Sequence, residues 1–572
     1  MKCELIIEKL SGHDTKAKVG KISKRVGDEV KAGDILFTLE SGKGNLNFTA
    51  DANGTLMELN IEEGQTVSKK DVVGFVEGER LDNKDKTDKV NSKKPKYSFG
   101  IAKPKKEEVV CDLLVIGGGP GGYVAAIRGA QLGLSTVLIE KNRLGGTCLN
   151  YGCIPTKSMA ESSHILENIK SAEVFGIHVE DYKVSLGEII ERKDQVVETL
   201  VSGISQLMEA NNIRVIEGNA VAVDEETISV KTKKIDATIK AKNIILALGS
   251  SASTLSIEGA DLPNVLTSKE MLSLTEIPKR LTVIGGGVIG MELAFIYRSL
   301  GSEVTVVEYA SEILSILDGD VIEHISSIAN EKGIKIFESA CVNRIQETVD
   351  GQLITTFNKD DKEYYISSDK VLMAVGRNAN LDSIELDKLK VALNEKENGI
   401  AVNEYMQTSS PSIYAIGDVT NIVQLAHVAS HQGLIAVEHI KGSKAKAHYD
   451  LVPSAIFTSP EIGHIGMTER EAAAKNIAIN VAKFPLMASG KALVMNATDG
   501  FIKLIADAEQ DILLGGVIVG EHGTDMIATI SNLIQHKVKI DDAIQVIYAH
   551  PTLSEGIHES LLMLKNRGIH FG

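Results

Sequence analysis

Two cysteines five residues apart, Cys148 and Cys153 in GGTCLNYGCIPTK, are the residues of this chain best suited to redox chemistry. On an ideal helix that spacing puts the Cα atoms about 8.6 Å apart, beyond the roughly 7 Å that a disulfide tolerates. Either the thiols are free or the backbone leaves the helix between them, and Gly152 makes such a departure affordable. The plain alternative is a pair of buried structural thiols. Position argues against it, because the pair follows directly on a strand–glycine loop–helix–strand unit. A second pairing, His550 and Glu555 in YAHPTLSEGIHES, sets an imidazole near a carboxylate across a turn containing Pro551. Such a pair can take up a proton while the acid holds the ring, although taken alone it is more often surface structure. A third candidate is Lys43 in TLESGKGNLNF, raised between two glycines with apolar, strand-like residues on both sides.

The glycine loops come as a pair. Gly117, Gly119 and Gly122 follow CDLLVI, and Gly285, Gly287 and Gly290 follow KRLTVI. In each the spacing Gly-x-Gly-x-x-Gly lies between an apolar strand and a helix. The glycines permit the tight turn, let a pyrophosphate approach the backbone and let the helix pack closely. An acid closes the next strand of each unit: Glu140 in the first, Glu308 in the second. A carboxylate there suits a ribose 2′-OH and repels a 2′-phosphate. YASEIL, after Glu308, supplies no Arg to receive that phosphate, so NAD is expected over NADP. The cysteine pair then falls close to where a flavin held by the first loop would sit.

These residues need a scaffold of several domains, and 572 residues are too many for one core. Charged residues at 24% and hydrophobic ones at 43% describe an ordinary globular chain. A net charge of -16 argues against nucleic acid as a main partner. No apolar run reaches the roughly 18 residues of a membrane span. The N-terminus shows no secretory or transit pattern, so a cytoplasmic location is expected. Five cysteines do not make a disulfide framework.

Residues 1–77 alternate apolar and polar residues between glycines, and carry a half-repeat: VGDEVKAGDIL matches EEGQTVSKKDVV through Gly27/Gly64, Val30/Val67 and Asp34/Asp71. Two small sheets related by a pseudo-twofold are expected, with Lys43 at a turn between the halves. Phe37, where a P-loop would have its first Gly, excludes that motif. Residues 78–109 are charged and poor in apolar groups, and read as a solvated linker. Two Rossmann-like units follow from residue 110, and the last 120 or so residues mix strands and helices in an α+β domain.

Together the pieces resemble the flavin disulfide reductases, and among them the dihydrolipoamide dehydrogenase family. The motifs are GGTCLNYGCIPTK, GGGVIGMEL, TSSPSIYAIGD and HPTLSE, over residues 110–572, while residues 1–77 are similar to a lipoyl domain with ESGKGN at its modified-lysine turn. The resemblance implies an α/β fold: a lipoyl-type all-β domain (1–77), a linker (78–109), an FAD domain (110–253), an NAD domain (254–380), a central segment completing the FAD site (381–450) and an interface domain (451–572). It implies that the first glycine loop and Glu140 hold the FAD adenosine half, that Asp418 binds the ribitol and that Ala426 meets the isoalloxazine through its backbone. Lys157 and Glu292 would pair near the flavin, and Ala220 and Gly376 join the cofactor contacts. The second glycine loop with Glu308 would hold NAD. Cys153 becomes the thiol over the flavin, Cys148 the thiol that exchanges with substrate, and His550, held by Glu555, the base acting on the other subunit of a homodimer.

Lys43 would then carry lipoate in amide linkage, although Gly42 and Gly44 replace the Asp and the Ala or Val that usually flank such a lysine. The activity implied is oxidation of protein-bound dihydrolipoyl groups with NAD+. Its setting would be a 2-oxoacid dehydrogenase, acetoin dehydrogenase or glycine cleavage system, with a lipoyl-bearing acyltransferase among the partners. No metal, nucleic acid or membrane enters this scheme. Glutathione reductase would want basic residues after the second Rossmann strand. Mercuric reductase would carry a metal-binding cysteine motif in front and a C-terminal cysteine pair, yet no cysteine follows Cys341. The alternative is a related NAD(P)H-dependent disulfide reductase whose N-terminal domain is an unmodified docking module.

Overall fold

The computed structural model describes residues 2–7, 16–31, 34–41, 44–50, 52–80 and 104–571, and divides the chain into two units, Met1–Gly100 and Ile101–Gly572.

In the first unit the half-repeat of the sequence becomes a pair of matched four-stranded antiparallel sheets. One runs Lys2–Ile6, Val72–Arg80, Ala52–Leu59, Glu29–Val30, and the other Gly44–Thr49, Ile35–Ser41, Lys16–Ile22, Thr66–Ser68. Strand for strand, the second order repeats the first. Gly27 and Gly64 both turn the chain at positive φ, 98° and 87°, which costs glycine little. Their N–H groups donate to equivalent carbonyls, Leu56 and Val19. Val30 and Val67 are both buried in the shared core with Leu5, Leu36, Phe37 and Leu56. Asp34 and Asp71 each accept the N–H three residues earlier, from Lys31 and Ser68. Ser41 pairs with Gly44; Gly42 and Lys43, between them, lie outside the described residues, as do 81–103.

Both ends of the expected linker are strand. Residues 78–80 complete Val72–Arg80, and Lys105–Ile116 pairs in parallel with Ile235–Leu246 from its first residue. The backbone ladder to a long neighbouring strand, with an ion pair between Arg214 and Glu107, outweighs the polar composition that suggested solvated coil.

The second unit holds two modules on mainly parallel sheets, the first with an antiparallel edge, a C-terminal antiparallel sheet, and smaller antiparallel sheets of two and three strands. The first sheet centres on Lys105–Ile116, flanked by Thr136–Glu140 and Ile235–Leu246, and Ile413–Ala415 from far along the chain pairs with the last of these. The second runs Val265–Leu266, Lys370–Met373, Arg280–Ile284, Glu303–Val307, Lys335–Phe337. The third is antiparallel, Ser454–Ile456, Ile462–Gly466, Leu513–Val519, Phe501–Asp507, Ile479–Pro485, with helices Gly523–Gln535 and Glu555–Leu564 packed on it. In the parallel modules the last four residues before each glycine loop, Leu113–Ile116 and Leu281–Ile284, are buried and apolar apart from Thr282, as strands covered on both faces must be. Among the described residues no helix is long and apolar enough to cross a membrane.

Candidate active site

Both glycine loops are built alike. Gly117 and Gly285 have φ of 108° and 104°. A Cβ there would stand 2.2 Å from the Ala247 carbonyl oxygen and 2.4 Å from that of Ala374. Further on, a Cβ on Gly122 or Gly290 would strike the carbonyl oxygen of the first glycine, at 1.8 or 2.0 Å. The middle glycines differ: beyond Gly119 the nearest atom is 3.9 Å away and around Gly287 nothing lies within 4 Å. They leave open the floor of a cavity and cap helices Pro120–Gln131 and Val288–Ser299, whose N-termini favour an anion.

The strand-end acids lock these loops. Glu140 accepts the N–H of Gly118 at 2.7 Å and of Asn142 at 2.7 Å. Glu308 accepts those of Gly286 at 2.5 Å and Ala310 at 2.6 Å. Tyr309, next to Glu308, is 79% exposed at the cavity wall. The cavity measures about 1990 Å³, against about 300–1,000 Å³ for one small-molecule site, and is continuous between the two loops. Room for two dinucleotides and two open phosphate cradles fit FAD and NAD.

Cys148 and Cys153 line that cavity. Helix Gly146–Tyr151 stops and helix Cys153–Lys170 starts at Gly152, whose φ of -139° and ψ of -112° are far from helical. Both possibilities open in the sequence are met: the thiols are free, and the backbone break at Gly152 brings them into hydrogen-bond contact. The Cys148 thiol donates to Cys153, which lowers the Cys153 thiol to about 7; burial opposes this and the Lys157 ammonium assists. Cys148 is raised, by the bond it gives up to Cys153 and by burial. Lys157 stands one helical turn after Cys153, and its Nζ lies 2.8 Å from each Glu292 carboxylate oxygen.

Gly376, Ala220, Asp418 and Ala426 line the same cavity. Asp418 accepts from the Ser250 hydroxyl at 2.5 Å, and Arg377 donates to Ser250 Oγ and to its carbonyl at 2.8 and 2.7 Å. Sequence reasoning missed Ser250, Arg377 and Phe457. A signal was present for Arg377: AVGRN repeats the strand–Gly–charge pattern of YAIGD.

His550 and Glu555 are brought together but not to the cysteines. His550 Nδ1 is 2.9 Å from Glu555 Oε1, and the Thr552 N–H donates to Oε2 at 2.8 Å. Burial would raise the Glu555 carboxyl, but these two bonds outweigh it and hold it below its usual range. The His550 side chain is 80% exposed and does not line the cavity of its own chain. Lys43 lies outside the described residues.

Comparison with known proteins agrees with this construction. Residues 111–433 match the pyridine nucleotide-disulphide oxidoreductase model, 452–561 its dimerisation domain, and 10–75 the model described as biotin-requiring enzyme. The chain is 39% identical over 461 residues to a dihydrolipoyl dehydrogenase of Chlamydia trachomatis, covering 80% of this chain and 98% of that protein. A dihydrolipoyl dehydrogenase of Bacillus subtilis is 40% identical over 479 residues, with 80% and 99% covered. Among solved structures, LpdA from Mycobacterium tuberculosis superposes with a TM-score of 0.74 at 26% identity, covering 79% of this chain and 99% of that one. With paired nucleotide cradles, a cysteine pair between them and these relatives, the chain belongs to the pyridine nucleotide-disulphide oxidoreductases, in the dihydrolipoyl dehydrogenase family.

Proposed function

We propose that the chain oxidises dihydrolipoyl groups to the cyclic disulfide with NAD+ as acceptor, and that Lys43 carries such a group in the same chain. The observation that carries the reading is the Cys148–Cys153 pair, one thiol lowered and the other raised, facing a cavity with two nucleotide cradles. Residues 110–253 with 381–450 hold FAD through the first loop, Glu140 and Asp418. Residues 254–380 hold NAD through the second loop and Glu308, and 451–572 form the homodimer. When bound, FAD supplies the two-electron relay between the dithiol and NAD+.

The protein's own groups handle the thiols. His550 of a second copy takes the proton of one substrate thiol, with Glu555 fixing its ring. The resulting thiolate attacks Cys148 of the enzyme disulfide, the Cys148–Cys153 bond breaks, and Cys153 leaves as the thiolate. The second substrate thiol then closes the substrate ring by displacing Cys148, which takes its proton. Lys157 offsets the charge left on Cys153. A thiol–disulfide cycle of this kind suits a reducing compartment, so the location proposed is the cytoplasm. The parent assembly is a 2-oxoacid dehydrogenase, acetoin dehydrogenase or glycine cleavage system.

The test is NADH formation from dihydrolipoamide by the flavin-loaded chain. Cys148→Ser is expected to abolish turnover while keeping FAD; retained turnover would refute the assignment. Peptide mass spectrometry of residues 38–48, after expression with a lipoate ligase and lipoate, is expected to show lipoyl-Lys43. An unmodified lysine there, with another lipoyl protein modified in the same cells, would sink that part.

A further inference from the structure

The Lys157–Glu292 pair has a third member from the opposite end of the chain. Phe457 directly follows strand Ser454–Ile456 of the C-terminal sheet. Its backbone N–H donates to Glu292 Oε1 at 2.9 Å, and its ring centroid lies 4.4 Å from Lys157 Nζ. We propose that Phe457 is a positioning residue of the redox centre, holding the Lys157 ammonium and the Glu292 carboxylate together so that the Lys157 charge stays over Cys153. The proposal rests on the role given above to Lys157 and Cys153.

Three arguments support it. Glu292 is 3% exposed, and a carboxylate so buried must be paired and hydrogen-bonded. Lys157 meets it with two short contacts, and the Phe457 N–H supplies a further donor. Second, a lysine ammonium rides on a flexible four-carbon stem. One carboxylate would tether it without fixing its direction, whereas an aromatic face on another side favours the cation by its quadrupole. Third, Lys157 lies one turn from Cys153 on the same helix face. A displacement of its charge is therefore felt at the sulfur, where Glu292 acts in the opposite sense. Phe457, Lys157 and Glu292 all line the cavity, and they come from three different modules. Seating of the C-terminal sheet thus bears on the electrostatics of a thiol more than 300 positions away in sequence.

The experiment uses the flavin-loaded full chain in a Cys148→Ser background, where the serine hydroxyl can still donate to Cys153. The long-wavelength thiolate-to-flavin absorbance is followed against pH. Phe457→Leu is expected to raise the pH at which the band disappears by about half to one unit, and Phe457→Tyr to leave it in place because the ring and N–H remain. Lys157→Met is expected to raise it further. If Phe457→Leu loses flavin, the same titration on Phe457→Met decides. An unchanged or lowered midpoint without the ring, alongside a raised one in Lys157→Met, overturns the proposal alone. Unchanged midpoints in all variants overturn it together with the reading of Lys157 on which it rests.

Discussion

Of the residues given roles in the proposed function, Cys153 and Glu308 are the most open to test one side chain at a time. The Cys153 thiol is lowered to about 7, first by the hydrogen bond from Cys148 and then, against burial, by Lys157. Its thiolate-to-flavin absorbance in the two-electron-reduced enzyme is therefore expected to persist above about pH 7 and to fade below it. Cys148→Ala removes the donor and should move the fading to higher pH, whereas Cys148→Ser should not; equal midpoints in the two variants would contradict this ordering. At the other cradle, Glu308 already holds Gly286 and Ala310 N–H groups. In the proposed function it offers a carboxylate face to a ribose diol and repels a phosphate. The expected kcat/KM advantage of NAD+ over NADP+ is roughly a hundredfold or more, a few kcal/mol. Comparable efficiencies with both nucleotides would count against it.

Among the elements, the two strand–loop–helix units allow a paired test. Alanine at Gly122 or Gly290 would thrust a methyl against the carbonyl oxygen of Gly117 or Gly285, pushing the helix off its strand. Gly122→Ala is expected to lose bound FAD, and Gly290→Ala to keep the flavin but lose NAD+-dependent turnover; flavin content and steady-state rates distinguish them. A second element-level feature joins the last two modules. Lys503, 1% exposed in strand Phe501–Asp507, places Nζ 3.0, 2.6 and 2.8 Å from Asp318, Asp320 and Glu469. These acids open helices Gly319–Glu331 and Glu469–Ala474 or immediately precede them. Lys503→Met leaves three carboxylates facing one another around an apolar stem. It should cost about 3–5 kcal/mol, seen as a lowered thermal midpoint of the holoenzyme, while a midpoint like the parent's would deny the network its structural role.

For the whole molecule, the boundary between the two units decides how they can be separated. Because Lys105–Ile116 is a long strand of the first parallel sheet, a cut at residue 109 would remove five of its paired residues. Removal of residues 1–103 is expected to leave turnover of free dihydrolipoamide nearly intact, and loss of that activity would mean the N-terminal unit belongs to the catalytic fold. Because Lys43 belongs to the same chain as Cys148, tethering raises the effective concentration of its group at the proposed site. The lipoyl group is then expected to be oxidised within one dimer, at a single-turnover rate independent of protein concentration; a rate proportional to concentration would refute this. Much of this was legible in the chain itself. Both glycine loops, the acids Glu140 and Glu308, the cysteine pair and the half-repeat of residues 1–77 rest on local spacing, and local spacing determines turns, helix starts and strand faces. Contacts between distant segments were not legible. Ser250 with Arg377 and Asp418, Phe457 with Lys157 and Glu292, and Lys503 with its three acids are each joined across more than 100 residues in part of their contacts. The first five residues of the strand at 105–116 look like linker because charge and polarity hide a backbone ladder. The sequence by itself determined which reactive groups stand at which local spacing; the tertiary structure decided which charges hold them, because only packing of separate modules brings those partners within hydrogen-bonding distance.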